Sequence, residues 1–273
     1  ASGASIDLHG MQLDWFDKWL KDVENGIDTQ PTAYVFVMGK NEWQAEQTWP
    51  PEDVENTTYY LGSDGGANSV RGDGKLSILP LENKESSDQF TYDPNNPVPS
   101  LGGAYGYGIP GVFEVGVQDQ ELIENRNDVL VYTSEILDEN FEIAGQVNMT
   151  LWAKTSANDT DWTAKLIDVD EQGKSTNVCD GILRARFNKS LETECFVNSN
   201  QVECFIIDLG FTAMLFAKGH RIRVQISSSN FPAFDRNLNT GKGFGDSQII
   251  VAEQTIFHDS KYPSFINLPK VNR

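Results

Sequence analysis

The sequence predicts an all-β fold, a jelly-roll β-sandwich preceded by one N-terminal helix. Three observations lead there. From about residue 29 onward, segment after segment alternates apolar and polar residues with the two-residue period of a half-buried strand. Clusters of Gly, Asn, Asp, Ser and Pro separate these segments, and their side chains favour turns over a continued ladder. No helical pattern alternates with the strands, which disfavours a parallel α/β sheet and leaves an antiparallel double-sheet sandwich.

The helix comes first. Over residues 5–24, Leu8, Met11, Trp15, Phe16, Trp19, Leu20 and Val23 recur at helical spacing, and Asn25-Gly26 reads as the stop. Burying each such ring is worth roughly 2–3 kcal/mol, so this face needs a cover or else forms a sticky patch and a route to self-association. Strands are expected at 34–38, 57–61, 129–133, 141–155, 162–169, 182–187, 202–209, 221–227 and 249–257. In the 141–155 segment Phe141, Ile143, Val147, Met149 and Leu151 keep the period, with Gly145 as a bulge. At 221–227 Ile222, Val224 and Ile226 alternate with Arg221, Arg223 and Gln225, and a loop of Ser, Asn, Pro and Asp follows to Gly241. Residues 62–73 and 83–96 read as loops, and His258 as a solvated residue of a polar tail.

Composition narrows the function. A chain of 273 residues is long enough for a real core. Its net charge of −19 argues against nucleic acid, whose recognition needs Lys and Arg against phosphate, and suits solubility. No apolar run approaches a membrane span, and no charged-then-apolar leader precedes the body. The expectation is a soluble protein, cytoplasmic or secreted. Cys179, Cys195 and Cys204 lack zinc-type spacing. A tight turn at 199–200 would set Cys195 opposite Cys204, with α-carbons about 4.5 Å apart, at the short end for a disulfide. Two reduced thiols are the favoured alternative.

A long string of motifs then carries a resemblance. The 219–241 segment GHRIRVQISSSNFPAFDRNLNTG is its longest piece. Others are WFDKWLK at 15–21, VFVMG at 35–39 with Trp43 and Trp49-Pro50, YDPNNPVPSLGG at 92–103, LVYTSE at 130–135, DTDW at 159–162 and GILRAR at 181–186. In this shared order the chain resembles the C-terminal β-domain of the cocaine-esterase / X-Pro dipeptidyl-peptidase group of serine hydrolases. The resemblance implies a galactose-binding-like jelly roll, with residues 1–28 as the last helix of an α/β-hydrolase domain and 29–273 as the jelly roll. It also implies hydrolysis of an ester or amide through an acyl-serine, carried out by an upstream catalytic domain, supplied in cis or as a separate chain.

The machinery for that chemistry is missing here. An α/β-hydrolase nucleophile needs G-x-S-x-G between a strand and a helix, and Gly245-Asp246-Ser247 is followed by Gln248 and Ile249 instead. His9 lies within the terminal helix, and His220 opens a strand where a structural role is expected. No catalytic residue, metal ligand or cofactor is assigned, and the chain is expected to be inactive alone. By resemblance, the loop after PSLGG reaches the catalytic cleft, which points to Tyr105 and Tyr107 as substrate contacts. Their apolar faces, polar tips and flanking glycines suit that role. Asp159, Asp161 and Asp168 could ligate calcium but read more simply as turn and strand residues. Arg184, Arg186, Arg221, Arg223 and Arg236 read as anchors for carboxylates. Trp43, Trp49 and Trp162 leave open an alternative of another class, a free-standing carbohydrate-binding jelly roll with an aromatic platform.

Overall fold

The computed structural model describes residues 3–80, 86–105, 108, 110–112, 114–243 and 245–273. The first element is α1 (Leu8–Lys21), whose N-terminus is capped by Asp7, with Oδ1 accepting from Gly10 N at 2.9 Å. It stops earlier than the sequence suggests. Asp22 takes the left-handed conformation at φ 55, and Gly26 instead opens a 3₁₀ turn at Ile27–Thr29. No residue of α1 is buried. Trp15 and Trp19 lean on each other with ring centroids 5.6 Å apart, yet each remains 54% exposed.

All other long elements are strands. β1 (Ala33–Val37) and β2 (Glu42–Glu46) form a hairpin, fastened at Met38 to a later strand through Met38 N to Ala213 O at 3.0 Å. The main sheet contains β3 (Val54–Gly62), β4 (Lys75–Ser77), β5 (Ser87–Tyr92), β6 (Leu130–Ser134), β7 (Phe141–Thr155) and β8 (Asp161–Val169). It continues with β9 (Ser175–Arg184), β10 (Glu203–Phe216), β11 (Arg221–Ser227), β12 (Ala252–Phe257) and β13 (Phe265–Val271). A four-residue helix, α2 (Glu121–Glu124), precedes β6. Strands run in the order β5-β12-β7-β13-β3-β4-β6-β11-β8-β9, with β10 on the other edge of β7. Every pairing is antiparallel except β4 with β6. The hydrogen-bonded path thus bends round on itself into a β-sandwich.

Its core lies between the layers. Trp162 of β8 and Tyr132 of β6 are fully buried, and Trp162 meets Phe205 of β10 at 5.6 Å. Phe141 of β7 packs edge-on against Tyr59 of β3 at 6.0 Å. These contacts follow from the alternation: in β7 the buried set includes Phe141, Ile143, Val147, Met149, Leu151 and Ala153, the residues the period of two puts on one face.

Several expectations need correction. The 83–96 loop contains β5; residues 83–85 of that expectation lie outside the described residues. The 182–187 strand is the end of β9 followed by a 3₁₀ turn at Ala185–Phe187. His258 is no solvated tail residue: it is 2% exposed, and β13 follows it. β13 escaped the sequence pattern because Pro269, which lacks a ladder donor, interrupts it. Pro269 is accommodated where the register slips, Asn267 pairing with Asn148 but Lys270 with Ile143. Gly145 lies in that stretch at φ 143, where an added Cβ would come 3.2 Å from Pro269 Cβ, so the bulge glycine makes room for the proline. No hairpin joins Cys195 to Cys204; residues 191–202 form no strand and all three cysteines are free. Among the described residues no helix is long and apolar enough to cross a membrane.

Candidate functional site: the junction of two loops

The 92–105 and 228–241 segments, two of the motif-bearing stretches, meet in space. Val98 N donates to Ser229 Oγ at 2.8 Å, Ser100 N to Phe231 O at 2.6 Å, and Phe231 N back to Val98 O at 3.0 Å. Ser100 Oγ accepts from Ala233 N at 3.0 Å, Tyr92 Oη donates to Asn237 O at 2.9 Å, and Arg236 donates to Pro94 O at 2.7 Å. Backbone polar groups that a loop would leave to water are therefore satisfied by the facing loop. Burial first, and then the nearby Asp161 carboxylate, keep the Tyr92 phenol protonated well above its ordinary range.

Tyr105 stands at the end of this junction, half-buried. Its hydroxyl donates to Asp180 Oδ2 at 2.5 Å, and Asn230 Nδ2 donates to both Tyr105 Oη and Asp180 Oδ2 at 3.0 Å. The ring packs edge-on against Phe234 at 5.7 Å. Burial, reinforced by the Asp180 charge and hydrogen bond, pushes this phenol far up. Tyr107 lies outside the described residues. Tyr105 has its polar tip tied to Asp180 and Asn230 and its ring packed on Phe234 and Gly103.

The turn before Tyr105 is held from beneath. Gly102 and Gly103 have φ 75 and 120, and a Cβ on Gly102 would lie 2.4 Å from Asn177 Oδ1. Half-buried Lys165 donates to Gln120 Oε1 at 3.0 Å and approaches Leu101 O at 3.4 Å, while Gln120 Nε2 donates to Leu101 O at 3.0 Å. Burial lowers the Lys165 ammonium from its usual value, against the pull of Asp180 and Glu124. Glu124, 2% exposed, accepts from Arg223 at 2.6 Å, Ser175 at 2.9 Å and Gln225 at 3.1 Å. Sequence reasoning missed Asp180, Asn177 and Glu124. Asn230 carried a signal inside the motif at 219–241, and Lys165 lay in the strand expected at 162–169.

Beside Tyr105 a groove of about 570 Å³ opens between β1 and β10, with Val35, Phe36, Trp49, Val178, Leu209 and Phe211 on its walls and Asp180 at its polar end. Cys179 lines it too, held as a thiol because burial pushes it far up. The groove is apolar and adjoins the loop junction. Among the described residues its lining is apolar surface with one protonated thiol and no activated nucleophile.

One constellation imitates catalysis. Ser63 Oγ, His258 and Asp88 lie together, with His258 Nε2 at 3.1 Å from Ser63 Oγ and 2.8 Å from Asp88 Oδ2. Ser63 also donates directly to Asp88 at 2.7 Å. A working triad needs the acid on one imidazole nitrogen and the nucleophile on the other. Here both use Nε2, buried Nδ1 has no partner, and the His258 and Asp88 side chains are 0% exposed. Burial works to raise the Asp88 carboxyl, but hydrogen bonds from His258, Ala67 N, Ser63 and Tyr132 outweigh it and hold it low. The group is a structural knot.

The remaining candidates resolve similarly. Asp161 is bridged by Arg184 at 2.9 Å and Asn237 at 2.9 Å, Asp159 by Arg186 at 3.6 Å and Asn237 at 2.9 Å, and Asp168 by His220 at 2.9 Å. Burial raises all three carboxyls. Arg184, Arg186 and Arg223 do anchor carboxylates, whereas Arg221 and Arg236 donate to the carbonyls of Ser134 and Pro94. Among the described residues no cluster of three or more His, Cys, Asp and Glu has metal-site geometry. Trp162 is in the core, Trp49 packs on Phe211 at 6.4 Å and Trp43 on Phe36 at 5.4 Å, so the three make no common platform.

The chain as a whole resembles known proteins. Residues 25–267 match the family described as the X-Pro dipeptidyl-peptidase C-terminal non-catalytic domain. Cocaine esterase of Rhodococcus sp. (strain MB1 Bresler) is 39% identical over 266 residues, covering 96% of this chain and 46% of that protein. The solved aminopeptidase from a marine sediment archaeon, Thaumarchaeota archaeon, superposes with TM-score 0.81 at 28% identity, covering 97% of this chain and 44% of that one. A solved α-amino acid ester hydrolase gives TM-score 0.78 at 30% identity, covering 94% of this chain and 43% of that one. The chain spans less than half the length of each of these relatives.

Proposed function

We propose, from the premise that this chain belongs to the family of X-Pro dipeptidyl-peptidase C-terminal non-catalytic domains, that it supports and partly walls the substrate cleft of a serine hydrolase. The catalytic triad would sit on an α/β-hydrolase module, in cis or on another chain, and the substrate would be an ester or amide cleaved through an acyl-serine. The relative named cocaine esterase, at 39% identity, favours an ester.

The observation that carries this reading is the loop junction. Segments 92–105 and 228–241 are tied into one rigid ledge ending at Tyr105, next to an apolar groove whose described lining holds one cysteine, kept as a thiol, and no activated nucleophile. Preorganised, unreactive surface suits a cleft wall. A second feature agrees with it. α1 lies before the matched span and shows Leu13, Trp15, Phe16, Trp19 and Leu20 to solvent at 54% or more, the face expected of a helix that belongs to the neighbouring module. In this reading residues 1–28 are the tail of that module and 29–273 the jelly roll.

The test is the coding sequence upstream of Ala1, followed by expression of whatever frame it contains. A frame carrying G-x-S-x-G, an Asp and a His, whose product hydrolyses p-nitrophenyl esters, is the expected result. A start codon immediately before Ala1, with no catalytic chain bound in pull-down from the native source, would overturn it.

A further inference from the structure

Tyr105 is secured by more than its own loop. Its hydroxyl donates to Asp180 Oδ2 at 2.5 Å, and Asn230 bridges the same two oxygens at 3.0 Å to each. A phenol donating to an ionised carboxylate makes a charge-assisted bond, stronger than a neutral one. The ring closes over Gly103: a Cβ there would lie 2.4 Å from Tyr105 Cε2, so ring and turn are in direct contact. The turn's amides are engaged as well, Gly102 N to Glu114 O at 2.9 Å and Gly103 N to Gly116 O at 2.9 Å. Asp180 belongs to β9 and pairs with Lys165 of β8, whose ammonium reaches towards Leu101 O from below. One carboxylate on a rigid strand thus sits between Tyr105 and the network under the turn before it.

We propose that Asp180, assisted by Asn230, is a positioning residue: it latches Tyr105 to β9 and thereby fixes the 101–105 turn in the conformation that faces the cleft. Because the hydroxyl is committed to Asp180, Tyr105 offers a ligand its ring and not its proton. Releasing the latch frees the turn without touching the core, since Asp180 contributes a side chain at the groove and no part of the buried apolar cluster. The consequence for substrate rests on the cleft-wall reading above; the latch itself does not.

The experiment uses the 273-residue chain with ¹³Cζ-labelled tyrosine, the Tyr105 signal being assigned with Tyr105→Phe. In the unaltered chain that signal should stay protonated to pH 12. In Asp180→Ala it should titrate lower than in the unaltered chain, with burial still holding it above the free value of about 10, while amide exchange at Gly102 and Gly103 accelerates about tenfold and exchange in β7 and β11 does not change. Asp180→Asn keeps an acceptor and should restore most of the exchange protection. Should Asp180→Ala fail to fold, Tyr105→Phe, which deletes only the hydroxyl, carries the exchange measurement. An ordinary Tyr105 titration in the unaltered chain, or unchanged exchange at Gly102 and Gly103 in the variants, would overturn the latch. In the assembled hydrolase, Asp180→Ala and Tyr105→Phe should raise KM severalfold at constant kcat, with Asp180→Asn close to the unaltered enzyme. Faster exchange with an unmoved KM would leave the latch standing and sink the cleft-wall reading.

Discussion

Ser100 and Phe231 lock two distant loops to each other: the Ser100 amide donates to the Phe231 carbonyl at 2.6 Å, and Ser100 Oγ accepts from Ala233 N at 3.0 Å. The side chain of one residue and the backbone of three thus convert two polar loops into one surface. Ser100 is 4% exposed, so water does not compete for these bonds. Replacing it by Ala leaves the Ala233 amide without its acceptor. Ser100→Ala should cost about 1–2 kcal/mol, read as a lower urea midpoint at unchanged slope.

Gly181 tests how the sandwich closes. Its backbone has no need of glycine's positive φ, yet an added Cβ would lie 2.1 Å from Asp208 O on β10. The close approach of β9 to β10 depends on the missing side chain. Gly181→Ala should therefore destabilise by about 1–3 kcal/mol through overpacking, measured by thermal unfolding. Gly173, with open space around its Cβ position, is not a matched control because its φ of 85 adds strain of its own; Gly243, with open space and no positive φ, is.

Acid should loosen the knot around Asp88. Its carboxyl is held below the ordinary value when folded, so the stabilisation it supplies is complete above the unfolded pKa of about 3.9 and fades as pH falls through the lower folded value. Asp88→Asn should lower stability by about 2–3 kcal/mol at pH 7, with the gap to the unaltered chain narrowing below about pH 4. A gap independent of pH would show that the loss is steric and not electrostatic.

The exposed helix makes an opposite prediction. Since no residue of α1 is buried, removing residues 1–24 should leave the unfolding temperature of the β-sandwich unchanged. The same deletion, or Trp15→Glu with Leu20→Glu, should abolish any concentration-dependent association seen by sedimentation. A marked fall in unfolding temperature would mean that α1 is an integral part of this fold.

Much of this architecture was legible in the sequence, for identifiable reasons. β7 and β11 lie where the two-residue period puts them, because each turns one apolar face to the core; the other face of β11 is buried too, but it is polar, with Arg223 and Gln225 satisfied by Glu124. β5 and β13 were not legible: Ser87–Tyr92 carries Asp88, which is buried only because His258, Tyr132 and Ser63 converge on it, and β13 contains Pro269. Such residues look like loop residues until distant partners are known. The candidate site divides the same way. Tyr105 was within reach because it follows a recognisable motif. Asp180 was not, because its meaning lies in a hydrogen bond to a residue of another segment, and no local spacing encodes that.

The most direct measurement is active-site labelling of the isolated chain with a fluorophosphonate probe, alongside p-nitrophenyl ester turnover. A non-catalytic domain should take up no label and give no rate above buffer. Ser63 is the informative position, since it sits beside His258 and Asp88 but with both groups on one imidazole nitrogen. Covalent label on Ser63, with ester turnover lost in Ser63→Ala, would contradict the non-catalytic assignment outright.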